Sequence, residues 1–182
     1  MKTRTKALLT VACALLLVVA TVFGTVAYLT AKTDTVKNTF TVGKVGIDLE
    51  ESTTTYNIVP GTDIAKDPKV TVTANSEDSY VFVKVEESAN WEAAKVSYIM
   101  SDGWTQGDGT DIPANVYYRV YSKTATDTIY DVLKDNKVTV SEDLTSEEVA
   151  ALTTNPTLSF TAYAIQAEGF TTAAAAWAEV SK

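Results

Sequence analysis

Three aspartates lie close together in a glycine-rich stretch, residues 101–113, with the sequence SDGWTQGDGTDIP. Carboxylate oxygens are the ligands that Ca²⁺ prefers, so Asp102, Asp108 and Asp111 form a candidate calcium site. Their spacing differs from that of the EF-hand loop. Asp and Gly are also the residues that form tight turns, and we favour that interpretation of this stretch.

Aromatic side chains offer a second kind of chemistry, because their flat faces can stack on sugar rings. The chain has nine tyrosines and three tryptophans, the latter being Trp91, Trp104 and Trp177. Large aromatic residues more often fill a core or its rim. Packing is therefore the interpretation that we favour for these residues as well.

Catalytic chemistry lacks its usual residues in this sequence. There is no histidine, and Cys13 is the one cysteine, which excludes Ser-His-Asp and Cys-His systems and histidine metal sites. Neighbouring glutamates resemble the acid pairs of glycosidases, but they are more typical of solvated strand ends and helix caps: Glu86-Glu87 with Glu92, and Glu147-Glu148. The sequence predicts a protein that is not an enzyme and that needs no cofactor.

The net charge limits the class of partner. The chain has 15 lysines and arginines against 23 aspartates and glutamates, a formal net charge of −8. Lys2, Arg4 and Lys6 precede the first apolar run, so a chain that begins at residue 28 keeps 12 cations against 23 acids, a net charge of −11. So acidic a surface repels nucleic-acid phosphates and anionic lipid headgroups, and neither is an expected partner.

The first 31 residues have the pattern of an export signal. The basic stretch MKTRTK precedes 25 residues without charge, and Thr25-Val26-Ala27 places small residues where signal peptidase reads them. We therefore expect a signal peptide over residues 1–27, cut by signal peptidase between Ala27 and Tyr28. The product is expected to be secreted, either extracellular or at the cell surface.

Two other fates of this leader remain open. An uncharged segment of this length can span a bilayer, so an uncleaved helix would tether the protein to the membrane. Lipidation at Cys13 is the other alternative, although Thr10-Val11-Ala12 lacks the leucine that a lipobox has at its first position.

After the leader, apolar and polar residues alternate with the period of two that is typical of β-strands. The clearest strand is SYVFVKVEE, in which Val81, Val83 and Val85 share one face while Tyr80 and Phe82 occupy the other. Such a strand is expected in the centre of a sheet, nearly buried on both faces. Further strands are predicted over residues 40–49, with a bend at Gly43-Lys44, and over residues 70–74, 94–100, 116–121, 128–133, 137–140 and 157–167.

Two short helices complete the predicted elements. Thr145-Ser146-Glu147-Glu148 is a capping box, and Thr171 can cap an alanine-rich helix that runs through Val180. About eight strands separated by turns predict an all-β fold, a jelly-roll or Ig-like two-sheet β-sandwich with one or two short helices, preceded by the signal helix. The sandwich domain is expected over residues 38–182, after an N-terminal extension over residues 28–37.

Three stretches together resemble one known family. They are TVAYLTAKTDTVKNTFTVGKVGIDLEE, then PGT with KDPKVTVTANSEDSYVFVKVEE, and finally YYRVYSK with AYAIQAEGF and AW. They resemble the TasA/camelysin-like exported proteins of Gram-positive bacteria, which carry a SipW-type signal peptide. The resemblance covers nearly the whole chain and implies a jelly-roll-like β-sandwich, secretion and, in the best-known members, assembly into biofilm-matrix fibres.

Two functions follow as hypotheses. The first is a secreted structural protein, a subunit or accessory of an extracellular fibre, that associates with itself or with matrix proteins. Its assembly segment is expected to be a donor β-strand, with Tyr28, Leu29, Thr30, Val36 and Phe40 as the residues concerned. The second is a monomeric cell-surface module that binds sugar, Ca²⁺ or protein and whose uncleaved leader is its one contact with the membrane.

Overall fold

The structure is a computed structural model, and it describes residues 44–53 and 55–182. The predicted signal peptide, the cleavage site at Ala27 and Tyr28, and the donor residues from Tyr28 to Phe40 lie outside the described residues. The described part is mostly β-structure, as the alternating pattern predicts. Within it, no helix combines the length and the apolar character needed to cross a bilayer.

Ten strands and two α-helices follow one another along the described chain. The strands are β1 Ile47–Glu50, β2 Asp63–Ala65, β3 Lys69–Val72, β4 Ser79–Glu87, β5 Val96–Ser97, β6 Thr105–Gln106, β7 Val116–Tyr121, β8 Ile129–Asp131, β9 Lys137–Val140 and β10 Leu158–Gln166. The helices are α1 Ser146–Ala151 and α2 Ala173–Val180. Two short 3-10 turns lie at Glu92–Ala94 and Lys134–Asn136.

The largest sheet has four antiparallel strands in the order β10-β4-β7-β6, and we call it the front sheet. Strand β4 is central, as its sequence predicts, and pairs with β10 on one side and β7 on the other. Val81, Val83 and Val85 are buried on its inner face, and Phe82 is buried on the outer face. A strand covered on both faces needs apolar residues at both parities, and β4 has them.

The opposite layer consists of two three-stranded antiparallel sheets, β1-β3-β8 and β2-β9-β5. The expected single second sheet is therefore divided in two. The same two chain segments, residues 63–72 and 129–140, pair with each other on both sides of the break. Between the two paired regions, the Lys66 amide donates to Asn136 O and the Val132 amide donates to Pro68 O. Pro68 donates no ladder bond, and the left-handed backbone at Asp135 and Asn136 bends the partner segment.

Three apolar clusters hold these layers together. The inner valines of β4 pack against Val70 and Val72 of β3, between the front sheet and β1-β3-β8. Phe82 and Trp177 form the centre of a second cluster, between the outer face of the front sheet and α2. The third lies between β2-β9-β5 and α1 and is built around Leu133 and Val138.

The capping residues in the sequence predict both helices, and the structure changes one of the predicted caps. The capping box predicted ahead of α1 is confirmed, with the Thr145 side chain accepting from Glu148 N and the Glu148 carboxylate from Thr145 N. The N-cap of α2 is Thr172 and not Thr171, because the Thr172 side chain accepts from Ala175 N. The strand predicted over 94–100 is reduced to β5, because a 3-10 turn ends at Lys95 with left-handed backbone, φ 49°.

Candidate functional site

Among the described strands, β10 lies at an edge of the front sheet. The backbone N–H and C=O groups of its odd-numbered residues point toward β4. The evidence is that the Thr157 carbonyl accepts from Ser88 N and the Ala167 amide donates to Asp78 O. Backbone groups alternate in direction along a strand, so the even-numbered residues direct theirs away from β4. Within the described residues, no backbone hydrogen bond meets these outward groups, which belong to Leu158, Phe160, Ala162, Ala164 and Gln166.

This edge lacks the features by which proteins prevent strand pairing. Its sequence, LSFTAYAIQ, has no charge, no proline and no glycine over nine residues. Charges, prolines and very short length are the usual protections of an exposed edge. The other described edges have such protection: β5 and β6 have two residues each, β2 and β8 have three each, and β1 carries Asp48 and Glu50. Among the described strands, β10 is the edge best suited to accept another strand.

A groove of about 920 Å³ opens beside the start of β10. One wall comes from the end of β1 and the loop after it, and the other from the start of β10 and the segment before it. The lining is mixed, with apolar residues such as Ile64, Val138 and Phe160 beside polar ones such as Glu51 and Lys66. A side chain that follows the β10 edge can therefore enter a groove that offers both apolar and polar contacts.

A buried ion pair lies in this groove. The Lys66 ammonium is 2.6 Å from Glu51 Oε1, and both side chains are largely buried. The same nitrogen lies 5.1 Å from the centre of the Tyr56 ring and 5.3 Å from that of Phe160, within cation–π range. The Tyr56 hydroxyl donates to Glu51 Oε1 at 2.5 Å and to Thr53 O. Burial, then the hydrogen bond to Glu51, raises the pKa of Tyr56.

The sequence contains a signal for the burial of Lys66. Residues 64, 66, 68, 70 and 72 share one parity, and four of them are apolar, Ile64, Pro68, Val70 and Val72. Lys66 therefore occupies an inward position in an apolar series, which is why it is buried. The sequence does not identify Glu51 as the partner of Lys66, because Glu51 belongs to a different segment, directly after β1.

The three aspartates of the candidate calcium site do not converge. Asp108 Oδ1 accepts from three backbone amides of its own loop, those of Thr110, Asp111 and Ile112, at 2.9 to 3.0 Å. These bonds, with Ile112 first, lower the pKa of Asp108. The side chain of Asp102 is 96% exposed and 3.8 Å from the Lys134 ammonium. In residues 44–53 and 55–182, no three acidic side chains are grouped closely enough to hold a metal ion.

The tryptophans pack, as our interpretation favoured. Trp177 is buried, with its ring centre 5.2 Å from that of Phe82 and 5.4 Å from that of Tyr163. Trp91 packs on the cluster around Leu133. Trp104 contacts the inner cluster and donates its indole N–H to Asp131 O at 2.9 Å.

The glutamates singled out by sequence lie in separate elements. Glu86 pairs with Lys84 at 2.8 Å, and Glu148 pairs with Lys95 at 2.8 Å while completing the cap of α1. Glu147 lies in the first turn of α1. Glu92 begins the first 3-10 turn.

No protein-family model, curated protein or solved structure matches this chain.

Proposed function

We propose that this chain is a secreted, non-enzymatic structural protein of the TasA/camelysin-like type, with a jelly-roll-like sandwich, and that it is a subunit or accessory of an extracellular biofilm-matrix fibre. Subunits join when the N-terminal segment of one adds as a strand to the β10 edge of the next. The observation that carries the proposal is this edge, nine residues long and without charge or proline.

The partner segment has the composition of a strand. Residues 28–36, YLTAKTDTV, contain no glycine or proline and are rich in threonine, which favours extended backbone. Main-chain hydrogen bonds to β10 supply the affinity, and alternate side chains supply the register. The groove beside β10, with Ile64, Val138 and Phe160 in its lining, offers a place for Tyr28, Leu29 or Val36. Phe40 follows at the same parity as Val36.

This mode of contact can extend without limit, as a fibre requires. The donor segment and the β10 edge are different surfaces, so a pair of joined subunits still has one free donor segment and one free β10 edge. A contact between unlike surfaces adds subunits in an open series unless the rotation between neighbouring subunits closes a ring. Export by the leader supports the same function, because a matrix subunit must leave the cell before it assembles.

Sedimentation velocity of the exported protein tests the proposal. The unaltered protein is expected to form species that grow with concentration, whereas a variant lacking residues 28–36 is expected to remain monomeric. Ala162→Pro removes one outward N–H from the β10 edge and leaves the bonds to β4 in place, so it is expected to block assembly. Ala162→Ser, which keeps that N–H, is the matched control and is expected to assemble normally.

Three results would contradict strand addition. They are a monomer at high concentration under every salt and pH condition, undiminished assembly without residues 28–36, and undiminished assembly of a natively folded Ala162→Pro protein. A monomer throughout would instead favour the alternative function, a cell-surface binding module tethered by an uncleaved leader. The groove of about 920 Å³ would then be its first candidate site.

A further inference from the structure

Two Asp-Gly pairs lie in the loop over residues 101–113, and the sequence contains no others and no Asn-Gly pair. In an Asp-Gly pair the backbone amide of the glycine can attack the aspartate side chain with little obstruction, because glycine has no Cβ. Asp102-Gly103 and Asp108-Gly109 are both exposed, so water can reach both pairs. Exposure therefore does not distinguish them, and their hydrogen bonds have to.

The second pair is held by hydrogen bonds at both of its reacting groups. Asp108 Oδ1 accepts from three backbone amides of its own loop, those of Thr110, Asp111 and Ile112. The Gly109 amide, which would be the nucleophile, donates to Ile112 O at 2.9 Å. Ring closure at this pair has to break these bonds first, and a hydrogen bond to a charged group is costly to lose.

The first pair lacks such bonds. The side chain of Asp102 is 96% exposed, and its ion-pair contact is the Lys134 ammonium at 3.8 Å. The Gly103 amide donates to no acceptor among the described residues. The carboxyl and the amide of this pair are therefore both free to react with each other.

We propose that Asp102-Gly103 is a site of spontaneous self-modification, at which Asp102 converts to isoaspartate through a cyclic imide. Gly103 N attacks the protonated side-chain carboxyl at Cγ, an N–Cγ bond forms, and the carboxyl hydroxyl leaves with the amide hydrogen as water. Water then opens the ring by breaking the bond between Gly103 N and Asp102 C. The main chain afterwards runs through Cβ and Cγ, and the former main-chain carbonyl carbon carries the free carboxylate. Water is the only other reactant, and the product has the mass of the starting chain.

Isomerisation changes a turn that is packed against its neighbours. A Cβ placed on Gly103 would lie 3.2 Å from Arg119 Nη2, so this turn rests directly on the guanidinium. Trp104 follows, with its ring centre 5.4 Å from the Arg119 guanidinium carbon and its indole N–H bonded to Asp131 O. Isoaspartate adds one methylene to the main chain here, and we expect this longer path to shift Trp104 against those partners.

Storage of the exported protein at neutral pH, followed by peptide mapping, tests the proposal. Asp-specific endoproteinase cuts before aspartate and not before isoaspartate, so each position is scored by the loss of its own cut. In the folded protein, isoaspartate is expected to form at Asp102 at least about tenfold faster than at Asp108, which first has to give up its hydrogen bonds. A parallel sample in urea loses those bonds, and there the two positions are expected to react at similar rates.

Variants connect the chemistry to the turn. A second indole N–H signal of Trp104, assigned with a Trp104→Phe sample, is expected to grow in step with the isoaspartate. Asp102→Glu keeps the charge but would have to close a larger ring, so it is expected to give neither isoaspartate nor the second signal. Lys134→Gln is the matched control and is expected to react at the unaltered rate, because an exposed pair at 3.8 Å restrains Asp102 little.

The proposal is overturned if Asp108 isomerises as fast as Asp102 in the folded protein, if neither position reacts, or if the difference persists unchanged in urea. The last result would assign the difference to neighbouring residues in the sequence and not to the fold. A second Trp104 signal that also grows in Asp102→Glu would overturn the link between this turn and that side chain. None of these measurements depends on assembly, so this proposal and the fibre proposal fail or succeed separately.

Discussion

Lys66 is the one buried charged residue in the described part of the chain, with 6% of its surface exposed. Removing an ammonium from water is costly, and the structure offsets that cost with Glu51 at 2.6 Å and with two aromatic faces. The arrangement fixes the loop after β1 against the rest of the groove. The contribution of this ion pair to the free energy of unfolding should therefore depend on both partners being present.

Removing only the cation should be costly. Lys66→Met leaves the Glu51 carboxylate without its partner, and we expect a loss of about 3 kcal/mol in the free energy of unfolding. Lys66→Met with Glu51→Gln removes both charges and keeps an acceptor for the Tyr56 hydroxyl, so it should cost less than the single change. Urea unfolding of the four proteins in this cycle measures the coupling. Equal losses of unfolding free energy in Lys66→Met and in the double variant would contradict this expectation.

Asp108 has a structural role that pH can reveal. Its folded pKa is lowered, chiefly by the Ile112 amide, so its stabilising contribution is complete above the unfolded pKa of about 4 and is lost as pH falls through the folded value. Asp108→Asn keeps an acceptor but does not titrate. We expect the stability advantage of the unaltered protein over this variant to shrink as pH is lowered below about 4. Chemical unfolding from pH 3 to 7 measures it, and a constant difference would contradict the assignment.

At the scale of the element, a helix as short as α1 depends on its ends. Six residues form too few internal hydrogen bonds to be stable alone. The capping box satisfies two amides at its start, and Lys95 holds Glu148 from outside the helix. The apolar contacts of Val149 and Leu152 then attach α1 to the cluster around Leu133.

The cap of α1 can be tested by a single substitution. Thr145→Ala removes the acceptor for Glu148 N, and we expect it to lower the free energy of unfolding by about 1 kcal/mol. Ser146→Ala changes the next, exposed residue and should stay within about 0.5 kcal/mol of the unaltered protein. Thermal or urea unfolding compares them. A Thr145→Ala protein as stable as the Ser146→Ala control would show that the box contributes nothing.

At the scale of the whole molecule, net charge opposes the self-association proposed above. A chain starting at residue 28 carries −11, and subunits with the same charge repel each other over the Debye length. That length falls from about 30 Å at 0.01 M salt to about 8 Å at 0.15 M. Strand addition, by contrast, rests on main-chain hydrogen bonds and apolar contacts that salt does not screen.

Assembly should therefore strengthen with added salt, and with lower pH as carboxylates become protonated. Sedimentation velocity at 0.01 M and 0.15 M salt is expected to show larger species at the higher ionic strength. Sucrose at matched osmolarity controls for effects other than screening, and Ala162→Pro should remain monomeric at both salt concentrations. Larger species at low salt would show that attraction between charges, and not strand addition, drives the association.

The local signals of the sequence determined most of the elements. Alternation is a property of neighbouring residues, so the amino-acid pattern alone was enough to locate β4, β7, β9 and β10. The capping box at the start of α1 is equally local, since all its hydrogen bonds lie within four residues. The turn at Asp108 belongs to the same class, as its carboxylate bonds only to the next residues of its loop.

Tertiary structure alone decided which strands lie together and what they enclose. The order β10-β4-β7-β6, which leaves β10 at an edge, depends on pairings between distant segments that no local pattern encodes. Lys66 pairs with Glu51, fifteen positions earlier in the chain, and Arg119 of β7 packs against Tyr130 of β8. The break in the second layer likewise combines Pro68 in one segment with the left-handed backbone at Asp135 in its partner. Alternation determines which face of its strand a side chain occupies, but only the folding of the whole chain determines which residue packs against it there.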